Sequence, residues 1–302
     1  MYRMRQGKLL LGLVLIAGLI ISAVTVPVGA QEGQQSTESI TASPSSESFD
    51  INAGDTKRSS MKIINDGQVA YDFIVYARPY SVINENYDPN FSIIKTNTNV
   101  HKWVQFDKTK YRLEPGQKAT VTYTILVPAD AAPGGHYGVI FAETQQREIG
   151  TTGVSRQKRV GNLVYARVNG TIQESGKFIE FILPLWQRKS PVISSARVTN
   201  TGNVDFDTDV KTVAKDMFGR TKFTYTGDPV VLPGTTRLVQ MNWDKAPNFG
   251  LFRVSQNVAF LDQKHANSGV ILLAPVWFPI LLGATLVGGI VYAVLAYRKR
   301  RR

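Results

Sequence analysis

The sequence of 302 residues contains no cysteine and only three histidines. Without cysteine the chain forms no disulfide, so an exported fold must be stable through its hydrophobic cores alone. The histidines, His101, His136 and His265, are far apart and lack the spacing of metal ligands. The sequence also lacks the nucleophile motif Gly-x-Ser-x-Gly and a phosphate-binding loop. We therefore predict a protein that is not an enzyme and that uses no metal and no other cofactor.

Acidic residues are absent from both ends of the chain, where eight of the 35 Lys and Arg residues lie. The residues between these ends carry 27 Lys and Arg against 23 Asp and Glu, which reduces the formal net charge of +12 to +4. A charge this small gives no argument for a polyanionic partner. We predict no nucleic-acid binding and attribute most of the basic character to membrane topology.

The N-terminus has the order of segments that is typical of a secretory signal. Basic residues precede an apolar run from Leu9 to about Val26, and small residues follow up to Ala30. We predict a signal peptide over residues 1–30. The apolar run is longer than usual for a signal peptide, so an uncleaved N-terminal anchor is the alternative.

The C-terminus contains an uncharged, mostly apolar stretch of 21 residues between Trp277 and Tyr297. A helix of this length crosses a hydrocarbon core of about 30 Å. We predict a transmembrane helix over residues 275–297 that contacts membrane lipid, followed by a basic tail at 298–302. The positive-inside rule then keeps this tail in the cytoplasm and places residues 31–274 outside the plasma membrane.

Between the two ends, apolar and polar residues alternate with a period of two. Tyr71, Phe73 and Val75 fall on one face of a predicted strand, and Asp72 and Arg78 fall on the other. β-Branched and aromatic residues dominate such runs, and turn signals of the types Asn-x-Gly and Pro-Gly separate them. The pattern predicts an all-β ectodomain.

A set of three motifs occurs twice in the same order, which indicates an internal duplication. The paired motifs are "IINDGQVAYDFIV" at 63–75 with "VTNTGNVDFDTDV" at 198–210, Pro-Gly at 115–116 with 233–234, and Ala-Pro at 132–133 with 246–247. Short strands separated by such turns are typical of Ig-like sandwiches of about 100 residues. We therefore predict two tandem Ig-like β-sandwich domains.

The polar segment at 31–47 contains few large apolar residues and is predicted to be a flexible leader. We predict the first sandwich over 48–148 and the second over 149–265, with the strands near 159–168 and 177–186 at the start of the second. Residues 80–102 have no counterpart in the second copy and form a long insertion in the first.

Aromatic residues in and near the insertion are the best candidates for ligand recognition, since loops on a rigid sandwich commonly bind partners. Core packing of Trp103 and a loop role for His136 are the structural alternatives. The predicted binding residues are Tyr80, Tyr87, Trp103, Phe106, Tyr111, His136 and Tyr137. Asp205, Asp207 and Asp209 alternate along one strand, which leaves calcium binding open beside a solvated strand face.

Several motifs resemble the WxL-interacting proteins of Gram-positive bacterial surfaces. They are Asn-Asp-Gly at 65–67, Trp-Val-Gln-Phe at 103–106, Leu-Glu-Pro-Gly at 113–116, Pro128, Ala-Pro-Gly-Gly-His-Tyr at 132–137, the strand at 159–168, and the C-terminal span with its basic tail. The resemblance implies a peptidoglycan-binding first domain and a second Ig-like domain that contacts partner proteins of the WxL type.

The sequence therefore leads to a functional hypothesis with one alternative. The chain is predicted to be a membrane-anchored, non-catalytic binding protein of a bacterial cell surface, attached to cell-wall peptidoglycan, to extracellular WxL-type proteins, or to both. The alternative is an accessory ectodomain of a membrane complex, such as a secretion or enzyme assembly, that binds no glycan.

Overall fold

The computed structural model describes residues 38–145 and 157–300. The predicted signal peptide and the first part of the predicted leader lie outside these ranges. The described residues form two Ig-like β-sandwiches in tandem, followed by one apolar helix. This architecture confirms the predicted all-β fold class with a single C-terminal helix.

The first sandwich consists of a four-stranded sheet in the order β1-β3-β9-β7 and a five-stranded sheet in the order β2-β11-β10-β4-β8. Its strands are β1 (Ile40–Ser43), β2 (Ser46–Ile51), β3 (Thr56–Asn65), β4 (Tyr71–Pro79), β5 (Ser81–Val82), β6 (Pro89–Asn90), β7 (Val104–Phe106), β8 (Lys110–Leu113), β9 (Lys118–Leu126), β10 (Gly134–Thr144) and β11 (Arg159–Val168). Strands β5 and β6 pair with each other to form a short hairpin within the insertion.

The alternating pattern of the sequence is reproduced in the burial of the first sandwich. Tyr71, Phe73 and Val75 are buried between the sheets, whereas Asp72 is exposed. Strand β10 is buried on both faces, because the insertion folds back over its outer surface. The ring of Phe91 in the insertion packs edge-on against Phe141 of β10, with 4.9 Å between ring centroids.

The second sandwich repeats this plan with a three-stranded sheet, β12-β14-β19, and a five-stranded sheet, β13-β21-β20-β16-β17. Its strands are β12 (Gly176–Ile182), β13 (Trp186–Gln187), β14 (Val192–Asn200), β15 (Phe206–Asp207), β16 (Asp209–Asp216), β17 (Thr221–Gly227), β18 (Val230–Val231), β19 (Thr236–Trp243), β20 (Gly250–Phe260) and β21 (Gln263–Leu273). Two apolar clusters fill its interior.

Each sandwich contains an equivalent asparagine that makes the same pattern of hydrogen bonds. Asn65 donates from Nδ2 to the carbonyls of Val69 and Leu113, at 2.9 and 3.2 Å. Asn200 donates to the carbonyls of Val204 and Val231, at 2.7 and 2.8 Å. Both side chains are buried. The side-chain amide thus joins the Asn-x-Gly turn to the segment before the Pro-Gly turn, which explains why the sequence carries these motifs twice.

Two predictions about the limits of the first sandwich were wrong. Residues 40–47 were assigned to the leader, but they contribute to strands β1 and β2, which pair with β3 and β11. Strand β11 was assigned to the second sandwich, but it pairs along its whole length with β10 of the first. Strand identity is visible in a local sequence, whereas the choice of pairing partner depends on residues distant in the chain.

The C-terminal helix α1 (Trp277–Arg300) has 24 residues and is long and apolar enough to cross a membrane. Three residues separate it from the end of β21, and it includes the first basic residues of the predicted tail. Its side chains are mostly exposed, and none of its residues is buried within the protein.

Candidate functional site: a groove between the sandwiches

An open groove of about 410 Å³ lies where the two sandwiches meet. The insertion forms one wall, the Ala-Pro corner at 132–137 forms another, and two turns of the second sandwich form the third. The lining residues are Tyr80, Ser81, Val82, Lys95, Thr96, Asn97, Thr98, Ala132, Pro133, Gly135, His136, Tyr137, Asn203, Leu232, Pro233, Gly234 and Thr235. A volume of this size is within the usual range of ligand-binding pockets.

The insertion reaches the groove because its hairpin docks onto the second sandwich. The hydroxyl of Tyr87 lies 2.6 Å from Oγ1 of Thr235 and accepts a hydrogen bond of 2.7 Å from the backbone N–H of Leu232. Burial raises the pKa of Tyr87, so its hydroxyl stays protonated. The insertion therefore fixes the Leu-Pro-Gly turn that forms one side of the groove.

The tip of the same hairpin also covers the edge strand β19. The backbone carbonyl of Glu85 accepts a hydrogen bond of 2.7 Å from the N–H of Leu238 in β19. The carboxylate of Glu85 accepts two hydrogen bonds from Arg197 in β14, at 2.8 and 2.5 Å. An uncovered edge strand is a site for unwanted strand pairing, so this contact protects the second sandwich as well as joining it to the first.

Glycines in the Ala-Pro corner allow the first sandwich to approach the second. The N–H of Gly135 donates to the carbonyl of Asn203, at 2.8 Å. Gly134 has a φ of +123°, and a Cβ atom at this position would lie 2.7 Å from the same carbonyl. A side chain at position 134 would push the two backbones apart, which accounts for the first glycine of the pair in "APGGHY".

Tyr137 connects the same corner to the start of the second sandwich. Its hydroxyl donates to Oδ1 of Asp205, at 2.8 Å, and accepts from the backbone N–H of Asp205, at 3.1 Å. The ring is fully buried, and burial is the main reason why the pKa of this phenol is raised. Tyr137 therefore acts as a neutral link between the sandwiches.

His136 is held rigidly in the groove wall. Nδ1 lies 2.8 Å from the side-chain oxygen of Asn99, and Nε2 lies 2.7 Å from the carbonyl of Ala132. The indole ring of Trp103 packs against the imidazole, with 4.8 Å between ring centroids. Burial lowers the pKa of His136, which favours the neutral imidazole.

The lining of the groove is uncharged apart from Lys95 on its rim. Hydroxyl and amide groups of residues such as Thr96, Asn97 and Asn203 alternate with apolar surface from Val82 and Leu232. Ser81 also lines the groove, and its Oγ is buried without a hydrogen-bond partner in the part of the chain that the structure describes. The groove can therefore offer hydrogen bonds to a neutral ligand, whereas it lacks the cluster of cations that a phosphate-bearing ligand requires.

The structure separates the seven predicted binding residues into two groups. Tyr80, Tyr87, His136 and Tyr137 line the groove or brace its walls. Trp103 is buried in the first core, Phe106 packs against that core, and Tyr111 stacks on a buried ring of β4. A binding role for any of these residues stays a prediction.

Residues of the groove that the sequence did not indicate are mainly those of the second sandwich. Asn203 carries no motif of its own, the Pro-Gly turn at 233–234 is interpreted only as a turn, and the segment at 95–98 belongs to the predicted insertion and also has no motif of its own. The three alternating aspartates do not form a metal site: among the described residues, no group of three His, Cys, Asp or Glu side chains could hold a metal ion. Asp205 instead accepts the hydrogen bond from Tyr137.

Comparison with known proteins finds no matching family model and no matching curated protein. Solved structures that resemble the chain include the class 5 fimbriae chaperone CfaA, with 12% identity, a TM-score of 0.40, and coverage of 79% of this chain and 100% of that chain. The CupB2 chaperone of Pseudomonas aeruginosa also has 12% identity, with a TM-score of 0.38 and coverage of 77% and 100%. No family assignment follows from these values.

These comparisons correct the identification made from the sequence. The similar solved structures include a periplasmic chaperone, chaperones in complex with a pilin or a tip adhesin, and a PapD-like domain of human CEP192, and these are not WxL-interacting proteins. Membership of the WxL-interacting family, peptidoglycan binding and WxL-type partners were therefore wrong predictions. The short motifs behind them are explained by structure: Asn65 is a turn bridge, Trp103 is a core residue, and the corner at 132–137 is an inter-sandwich joint.

Proposed function

We propose that this chain is a non-catalytic protein that captures an extended polypeptide segment in the groove between its sandwiches. The observation that carries the proposal is a groove of about 410 Å³, uncharged apart from Lys95 on its rim, whose walls belong to both sandwiches and to the insertion. Extended peptides are recognised through hydrogen bonds to their main chain, with apolar sites for some of their side chains. The amide, hydroxyl and apolar groups of the lining match both requirements.

The location proposed for this activity is the outer face of the plasma membrane. In this proposal α1 spans the bilayer once, residues 31–274 lie outside, and the basic residues after Tyr297 stay in the cytoplasm. The chaperone in one of the similar solved structures is in complex with a pilin. Polypeptide binding by this chain is proposed on the chemistry of its own groove.

The test uses the full chain in lipid nanodiscs and a phage-displayed library of short linear peptides. Thr96 is an exposed residue of the groove rim, so Thr96→Trp fills part of the groove without removing a described hydrogen bond. Ser92→Trp places the same ring on an exposed position of the same segment outside the lining and serves as the control.

The proposal predicts linear peptides that bind the unmodified chain and the Ser92→Trp control equally. Thr96→Trp should weaken their binding at least about tenfold, or roughly 1.4 kcal/mol. Peptides that bind the Thr96→Trp variant as tightly as the unmodified chain would place the binding surface elsewhere. A library that yields no peptide above the level of empty nanodiscs would refute polypeptide capture by this chain.

A further inference from the structure

Large apolar side chains are exposed at one end of the second sandwich, on three separate loops. Leu185 lies between β12 and β13 and is 81% exposed, and Phe218 lies at the β16–β17 turn and is 83% exposed. Met217 beside it is 75% exposed, and Phe249, just before β20, is 55% exposed. Hairpin tips and loop ends are usually polar, so three apolar loops on one end of a domain require an explanation.

Strand register places all three loops at the end from which α1 leaves. Asp216, at the end of β16, pairs with Phe252 near the start of β20, and Gly250 pairs with Leu273 at the end of β21. The chain then enters α1 four residues later. Neighbouring strands lie about 4.8 Å apart, so the β16–β17 turn is about 10 Å to the side of the last residues of β21.

Direct contacts hold one loop against the start of α1 and another against the end of β21 and the residue that follows it. The ring of Phe249 packs edge-on against Phe278 in the first turn of the helix, with 5.0 Å between ring centroids. The indole of Trp186 donates to the carbonyl of Ala274, at 3.0 Å, and the carbonyl of Leu185 accepts from the N–H of Leu272, at 2.9 Å. The apolar end is therefore continuous with the apolar surface of the helix.

Basic residues outnumber acidic residues on the segments that carry the apolar tips, and two of them, Arg220 and Lys222, form ion pairs with Asp216. The segments 183–191, 215–222 and 244–253 contain Arg188, Lys189, Lys215, Arg220, Lys222, Lys245 and Arg253 against two acids, Asp216 and Asp244. An excess of basic residues on the segments that carry exposed aromatic and aliphatic side chains is typical of surfaces that bind at the lipid headgroup level. Aromatic rings such as Trp277 at the helix start prefer the same depth.

We propose that this end of the second sandwich docks onto a bilayer surface that contains anionic lipids, with Leu185, Met217, Phe218 and Phe249 in the boundary between headgroups and acyl chains. The proposal rests on the membrane span of α1 and is independent of peptide capture. Lipid is the occupant that the structure favours, because the surface adjoins the helix and the basic residues complement anionic headgroups. The contact limits rotation of the sandwich about the linker at 274–276.

The absence of cysteine permits a test with single nitroxide labels on the full chain. Leu185→Cys and Phe218→Cys replace strongly exposed side chains, so neither variant removes a core contact. Asp262→Cys labels the exposed turn between β20 and β21 at the opposite end of the sandwich, and Leu286→Cys labels the middle of α1. The chain is reconstituted in vesicles of phosphatidylcholine and phosphatidylglycerol, and collision rates with oxygen and a water-soluble nickel chelate are measured.

Docking predicts a ratio of oxygen to nickel collisions at positions 185 and 218 that is several-fold higher than at position 262 and approaches that at position 286. Ratios at 185 and 218 equal to that at 262 would overturn the docking and leave the membrane span intact. A low ratio at 286 would overturn the membrane span and the docking together. Spin–spin broadening at 218 from a second copy of the chain would assign the surface to self-association and overturn lipid docking.

Discussion

Asn200 and Asn65 occupy equivalent positions in the two sandwiches, so a substitution of one can be compared with the same substitution of the other. Each side chain is buried and donates two hydrogen bonds to backbone carbonyls. In Asn200→Ala the carbonyls of Val204 and Val231 lose these donors, while the N–H of Gly202 keeps the carbonyl of Ser175 at 3.0 Å. An unsatisfied buried carbonyl costs about 1–3 kcal/mol, so we expect a loss of about 3 kcal/mol in the stability of the second sandwich.

Hydrogen–deuterium exchange measured by mass spectrometry resolves the two sandwiches separately. A loss of about 3 kcal/mol corresponds to roughly a hundredfold faster exchange of the best-protected amides of the affected sandwich. We expect this acceleration in the second sandwich for Asn200→Ala and in the first sandwich for Asn65→Ala. Acceleration of less than about tenfold in the Asn200→Ala variant would show that the shared bonding pattern contributes little, and would refute the reasoning.

The same two variants separate stability from binding. Asn200 joins the turns that carry Asn203 and Leu232, both of which line the groove, whereas the turns joined by Asn65 lie outside the lining. We therefore expect Asn200→Ala to weaken the binding of library-selected peptides and Asn65→Ala to leave it unchanged. Equal weakening by both variants would indicate that the effect comes from general destabilisation.

Three further predictions follow from contacts at the groove. Because the pKa of His136 is lowered in the folded protein, the unfolded chain binds a proton at this histidine first as the pH falls. The stability should therefore be constant above pH 6.5 and fall as the pH drops below that value. His136→Gln should flatten this part of a series of denaturation measurements at different pH values. Tyr87→Phe should cost about 1–3 kcal/mol, measured by faster exchange of the Leu232 amide, because that N–H loses its acceptor. Gly135→Ala should separate the sandwiches, because its Cβ would lie 2.0 Å from the hydroxyl of Tyr137 and would displace that hydroxyl from Asp205 of the second sandwich. Small-angle scattering measures this separation. A flat pH profile in the unmodified chain, an unchanged Leu232 amide or an unchanged scattering curve would each contradict the corresponding contact.

The local sequence was sufficient for the secondary structure and for the duplication. Alternation identified strands such as β4, and the repeated Asn-x-Gly and Pro-Gly turns identified two sandwiches, because these signals depend on neighbouring residues. The pairing of β11 with β2 and the docking site of the insertion depend on contacts across more than one hundred residues, such as that between Glu85 and Arg197. Hydrophobic periodicity in the sequence does not predict contacts between residues so far apart in the chain.

The candidate site was visible only in part for the same reason. Aromatic residues in the insertion were identified, but composition does not reveal whether a ring faces solvent, a core or another domain. Trp103 illustrates the difficulty, because the sequence leaves recognition and core packing open for this ring, and the structure buries it against His136. The groove itself is a property of two sandwiches held in register, and neither copy contains it alone.

In both copies of the repeat, the segment that follows Ala-Pro contacts the next element of the chain. In the first copy it is bonded to Asn203 at the head of the second sandwich, and in the second copy Phe249 rests on Phe278 at the head of the helix. Each module is thus braced against the one that follows it. A pull on the first sandwich would therefore be transmitted through these two packed contacts to α1 instead of extending slack linkers.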